Sequence, residues 1–294
     1  MCNRPPALCY SAFMGNRKTV TGQCKLCLLD HVELRNSHIV PAGLYKMLRN
    51  TSKDGNPNPC FVRDGVEVQT SYQETARLLC PDCEQRLSTH GERWVLGHGL
   101  KADGSFPLGS FLVESVGRVW PDTLEELYCA ATIPRIKVSA IVYFATSVFW
   151  RSSVYPSGSP DLQVKLGPFE EAFRLFLMGE TEFPTDAALI VTVRPMSFVS
   201  GLVEWPSKLK RFQDTHAHSF VMPGMGFKLF VSKNIPADIR RFCFVRGPGN
   251  PMIFSNVLEY DLAQRASKAL NDATVSSKRS ALQARTRPGS RLVT

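Results

Sequence analysis

No stretch of this chain stays apolar and uncharged for the roughly 18 residues that a membrane-spanning helix requires. The closest, Val138 to Trp150, is uncharged for 13 residues between Lys137 and Arg151, and its composition predicts a buried helix. Met1 to Val20 has no unbroken apolar core of the signal-peptide kind. The expectation from both absences is a soluble, cytoplasmic protein without a membrane partner. Wholesale disorder is excluded too, because 44% hydrophobic and 21% charged residues are globular values. The C-terminal two thirds show neither an internal repeat nor a catalytic motif.

Acidic residues are also in short supply. Lys and Arg number 35 against 26 Asp and Glu, a formal net charge of +9, which favours an anionic partner: DNA first, RNA second. The excess is concentrated at the end. Asp261 to Thr294 holds Arg265, Lys268, Lys278, Arg279, Arg285, Arg287 and Arg291 against Asp261 and Asp272. A helix is expected over Leu262–Leu270, and beyond Ser276 a disordered basic tail. In that tail Lys278, Arg279, Arg285, Arg287 and Arg291 are the candidate phosphate contacts.

What is present in quantity is cysteine, nine in all, four of them in two C-x2-C pairs, Cys24-Lys25-Leu26-Cys27 and Cys80-Pro81-Asp82-Cys83. Without a secretory signal such pairs point to metal, not disulfides. Four thiolates make a closed tetrahedral set suited to structural zinc, Zn²⁺. The segment between the pairs is polar and rich in loop formers, and a module of that kind needs a metal to offset its chain entropy. Cys2 and Cys9 have no partner at knuckle spacing and read as free thiols. His31 is a weaker, alternative ligand with surface exposure expected.

Between the knuckles lies Ser37-His38-Ile39-Val40-Pro41, and Glu84 follows the second knuckle directly. C-x2-C, a His-hydrophobic-x-Pro segment, and Leu78-Leu79-Cys80-x2-Cys83 together resemble the zinc-knuckle branch of the HNH endonucleases, over about the first third of the chain. The resemblance implies a ββα-metal module. In it His38 is the general base and a separate divalent ion, Mg²⁺ or Mn²⁺, stabilises the phosphate and the leaving oxygen. Glu84 and Ser37 fall at the ion-site positions, where family members usually carry His or Asn and an acidic residue, respectively. The middle asparagine of the family is not assigned among Asn50, Asn56 and Asn58. Ser37 to Pro41, Leu79 to Gln85, Ser88 and Glu92 also resemble a set of bacterial HNH-like proteins with Glu in place of His. His90 and Glu92 are further candidates for the groove.

The expected class is α+β: a lead-in over 1–20, an HNH-like zinc module over 21–96, an α+β domain over 110–260 and the basic tail over 261–294. Within the module a short strand is predicted at Val32–Leu34, a helix at Ala42–Leu48 and a strand pair over Cys60–Val68 turning at Asp64-Gly65. Gly97, Gly99, Gly104 and Gly109 mark the boundary. Beyond it helices are predicted from Pro121, over Ile136–Val154 and over Phe169–Met178. Strands are predicted at Ala187–Val193, Phe198–Val203, His218–Met222, Phe227–Val231, Phe242–Val245 and Met252–Phe254. His216 and His218 alternate on one strand and read as a surface pair. The functional expectation is a DNA endonuclease, in phage defence or a mobile element. The alternative is a zinc module without cleavage that grips nucleic acid or a protein.

Overall fold

The computed structural model describes residues 19–49, 60–63, 66–69, 73–101, 103–119, 125–156, 164–194, 202–209, 211 and 215–255. Around the cysteines come β1 (Thr21–Gly22), β2 (Val32–Glu33), β3 (Arg35–His38) and α1 (Ala42–Arg49). A hairpin of β4 (Cys60–Arg63) and β5 (Val66–Gln69) follows. Next, β6 (Thr75–Leu79) leads into a continuous helical rod: α2 (Pro81–Leu87), a π-helical turn over Ser88–Glu92 and α3 (Arg93–His98). β3 and β6 pair antiparallel, with His38 opposite Thr75 and Arg35 opposite Leu79, and the second cysteine pair lies where β6 passes into α2.

The rest continues with α4 (Pro107–Val113), β7 (Arg118–Val119), β8 (Glu125–Cys129), α5 (Val138–Val154), α6 (Glu170–Met178) and β9 (Ala187–Val193). Then come β10 (Leu202–Lys208), β11 (His216–Met222), β12 (Met225–Val231), α7 (Ala237–Arg240) and β13 (Pro251–Ser255). Among the described residues nine strands form one sheet in the order β5-β4-β10-β11-β12-β9-β13-β8-β7. The β4–β5 hairpin, which lies between the two cysteine knuckles in sequence, is the edge of this sheet through parallel pairing of β4 with β10. The register of β10 on β11 shifts between Glu204 and Ser207. Pro206, which has no N–H for the ladder, sits inside that irregularity.

α5 is the spine. Ala140 through Ser152 are all buried, as expected of a helix that is apolar around its whole circumference. Phe144 and Phe149 meet Phe220 at ring-centroid distances of 6.1 and 5.0 Å, and Phe220 stacks on Phe227 at 4.5 Å, which fixes α5 to β11 and β12. Another part of the spine receives the π-turn. There Gly91 comes so close that a Cβ would stand 2.7 Å from the Phe144 amide nitrogen. Tyr143 Oη donates to the Leu177 carbonyl at 2.6 Å, holding α6 alongside. Most buried apolar side chains from Leu26 to Phe254 form one large cluster, and Ala188, Ala217, Phe230, Ile235, Ile239 and Cys243 form a second, smaller one.

Several sequence expectations change here. Glu125 and Glu126 do not open a helix, because they belong to β8, whose pairing with β13 runs from Glu125–Ser255 to Cys129–Pro251. Phe242–Val245 is a turn after α7, although the Phe244 amide still donates to Leu189 O at 2.7 Å. The glycine-rich segment 97–109 contains the start of α4, and Leu100 and Leu108 within it are buried. His218 is fully buried, not one of a surface pair, and only His216 reaches the surface, with Arg211 Nη2 at 3.1 Å from its Nε2.

Candidate metal centre and histidine site

The first knuckle is a tight turn closed by two backbone bonds, Leu28 N to Cys24 O and Cys24 N to Leu29 O, both 2.9 Å. Leu28 takes a left-handed backbone with φ 61° to close it. The Lys25 amide donates to Leu78 O at 2.9 Å, which docks the knuckle on the end of β6. There the chain turns into α2: Cys80 is the N-cap, Pro81 occupies the first helical turn, where a missing N–H costs nothing, and Cys83 faces inward from that turn. The Cys80 amide donates to Cys24 Sγ at 3.3 Å. Arg174 of α6, paired with Glu171 at 2.8 Å, donates from Nη1 to Leu26 O at 2.7 Å and braces the knuckle from outside.

The four sulfur atoms of Cys24, Cys27, Cys80 and Cys83 all lie within 4.8 Å of one another. Tetrahedral zinc with bonds of about 2.3 Å requires sulfurs about 3.8 Å apart. Cys27 and Cys80 already stand at 3.9 Å, so the set fits zinc with small adjustments. Without metal the thiols share their protons unevenly. A hydrogen bond from Cys83, helped by the Cys27, Cys80 and Leu26 amides, pulls the Cys24 thiol down to about 4, against the opposing effect of burial. Cys83, beside that thiolate and buried, is pushed up. A cation at the centre stabilises the thiolate form of all four. His31 is exposed, with φ 57°, and stands outside the cluster.

His38 ends β3. Its Nε2 lies 2.7 Å from Gln73 Oε1, an acceptor, which in the neutral ring favours the tautomer with the proton on Nε2 and the lone pair on Nδ1. The main-chain oxygen of His38 accepts from Arg151 Nη1 at 2.8 Å. Arg151 is 1% exposed, pairs with Glu92 Oε1 through Nη2 at 2.8 Å and donates from Nε to Ser147 O at 3.3 Å. Ser37, one residue earlier on the strand and just past a register shift between Arg35 and Asn36, is buried. Its Oγ is buried with no hydrogen-bond partner among the described residues, and so is Glu84 Oε1. Buried oxygens left this way cost stability unless something satisfies them.

Of the remaining candidates, Glu92 is taken up by Arg151, and His90 donates from Nδ1 to Arg86 O at 2.9 Å. His90 lines a cavity of about 560 Å³ with Arg86, Tyr143, Phe176 and Phe183. Among the described residues, the four cysteines are the one group of three or more His, Cys, Asp or Glu ligands close enough to hold an ion. Asn50, Asn56, Asn58 and the basic positions Lys278, Arg279, Arg285, Arg287 and Arg291 lie outside the described residues. Among the described residues no helix is long and apolar enough to cross a membrane.

Two participants escape sequence reasoning. Gln73 gives no signal, being one polar residue before a strand. Arg151 does give one: it is the charge that ends an otherwise uncharged buried helix, and buried charges are paired. The chain matches no family model, no curated protein and no solved structure.

Proposed function

We propose that the chain is a metal-dependent endonuclease of HNH type that hydrolyses phosphodiester bonds in DNA. The observation that carries this is local. A four-cysteine cluster sits where β6 turns into α2, β3 pairs antiparallel with β6, and β3 ends in a histidine whose Nε2 is already engaged by Gln73. In this reading zinc is structural, because four thiolates leave no open coordination position. His38 Nδ1 takes the proton from the attacking water, and Gln73 keeps the ring in the tautomer that can do so. The orphaned oxygens of Glu84 and Ser37 suit a Mg²⁺ or Mn²⁺ ion, which prefers oxygen ligands and would supply charge stabilisation to the phosphate. The surplus of 35 Lys and Arg over 26 Asp and Glu supports a polyanionic substrate.

The test is plasmid cleavage by zinc-loaded protein with added Mg²⁺ or Mn²⁺. His38→Ala is expected to lose about 10²- to 10⁴-fold in rate while keeping zinc, fold and DNA affinity. Wild-type protein that leaves single- and double-stranded DNA and RNA intact under these conditions overturns the proposal. A second reading, a zinc module that binds without cutting, is favoured by two features. Ser37 stands where an acidic ion ligand is usual, and no second three-ligand cluster gathers among the described residues.

A further inference from the structure

We propose that Arg151, held by Glu92, is a positioning residue for His38, so that the histidine site is completed by α5 and not by the cysteine-bearing elements alone. The inference rests on the reading of His38 as general base. All three guanidinium nitrogens are committed: Nη1 to His38 O, Nη2 to Glu92 Oε1 and Nε to Ser147 O. A planar fork fixed at three points has little freedom to rotate, so it holds the His38 carbonyl in one direction. That carbonyl needs a holder, because the β3–β6 ladder ends at His38–Thr75. The next main-chain bond, Ile39 N to Glu74 O, is a long 3.4 Å. Gln73 restrains the ring tip, but it precedes β6 and does not fix the backbone from which the ring projects.

Packing alone does not account for the charge. At a position 1% exposed, in a helix whose other buried residues are uncharged, an apolar side chain would fill the space without desolvating an ion pair. The carboxylate partner reaches Arg151 from the π-helical turn, where one extra residue shifts the helix phase for everything beyond it. Gly91 lets that turn come into contact with α5. Turn, glutamate and arginine thus form one device directed at the backbone of His38.

The experiment uses the full, zinc-loaded chain labelled with ¹⁵N-histidine. Long-range ¹H–¹⁵N spectra are recorded at one fixed pH, with His38→Ala identifying the His38 signals. Arg151→Met is expected to retain one zinc per chain and its far-UV spectrum. Its single Nε2–H tautomer pattern for His38 should be replaced by a broadened or averaged one. Plasmid cleavage should fall about 10²-fold in kcat with KM unchanged, the size of effect expected from misplacing a reacting group by about 1 Å. Arg151→Lys should restore part of both, since it returns one donor without the fork. If Arg151→Met fails to fold, Glu92→Gln, which keeps side-chain size and one acceptor, gives the same two measurements. His38 signals identical to wild type in the folded variants, with only a lower melting temperature, would overturn the proposal. Failure of the nuclease reading looks different: wild type then cuts nothing, while Arg151→Met still disturbs the His38 pattern.

Discussion

Ser37 and Glu84 each carry a buried side-chain oxygen that no described residue satisfies. If a divalent ion is what they await, Glu84→Gln removes an anionic ligand and should lower cleavage by at least about 10-fold, partly recovered at high Mn²⁺. Ser37→Asp adds one. In protein without added divalent ion, a new carboxylate at a position 1% exposed should destabilise the fold, because an uncompensated buried charge is costly. Mn²⁺ should then raise the melting temperature of Ser37→Asp more than that of wild type, since a ligand stabilises the state that binds it. An equal Mn²⁺ shift in both proteins would remove Ser37 from the ion site. His218 poses a separate residue-scale problem. Burial pushes its pKa down to about 4, with His216 adding to the effect and the Lys165 backbone only partly opposing it. Between about pH 6.5 and 4 the unfolded chain therefore binds a proton that the folded chain refuses, so stability falls as pH falls through that window. The loss approaches on the order of 3 kcal/mol at the acid end. His218→Phe should flatten the urea-midpoint profile between these pH values, and an unchanged slope would assign the acid sensitivity to other groups.

At the scale of elements, the parts legible in the sequence are those whose patterning decides their state locally. α5 announces itself by 13 uncharged residues, and α6 by its apolar stripe and by Gly179, whose φ of 77° ends it. The β11–β12 hairpin is announced by Pro223-Gly224, with Gly224 at φ 79°. The two cysteine knuckles and the histidine between them are equally local signals. β8 is not, because Glu125 and Glu126 suit a helix start as well as a strand, and pairing with β13 decides. Nor can the sequence show that the β4–β5 hairpin belongs to the large sheet, which depends on β10 about 140 residues later. The π-turn is illegible for the same reason: it brings Gly91 against the backbone of Phe144, more than 50 residues later in the chain. Gly91→Ala should therefore cost about 1–3 kcal/mol, the usual penalty for an extra methyl in a filled contact, despite alanine's better helix propensity. Chemical denaturation checks this, and a stabilised Gly91→Ala would mean that the turn and α5 separate without penalty.

At the scale of the whole molecule, the cysteine cluster is joined to the rest by specific bonds as well as by apolar contact. Arg174 of α6 holds Leu26 O, Arg86 of α2 holds Met178 O at 3.1 Å, and Arg151 of α5 holds His38 O. The buried cluster passes from Leu26 through α5 to Phe254 without a break, and β4 and β5, which lie between the knuckles in sequence, pair into the nine-stranded sheet. These links set how far the loss of metal should propagate. Structural zinc contributes about 10–16 kcal/mol in small peptides, as much as or more than the roughly 5–15 kcal/mol that keeps a typical protein folded. A module tied to its surroundings only by solvent-exposed contacts would unfold alone, leaving the sheet intact. Here the knuckle, the π-turn and the β4–β5 edge would all lose their anchors together. Zinc removal by a strong chelator, or Cys83→Ser, is therefore expected to lower the melting temperature of the entire chain in one transition. Tryptophan fluorescence, to which Trp94 of α3 and the buried Trp150 and Trp205 contribute, should change at the same temperature as far-UV ellipticity. Two separated transitions, with the sheet surviving at the wild-type temperature, would show that the metal stabilises only its own neighbourhood.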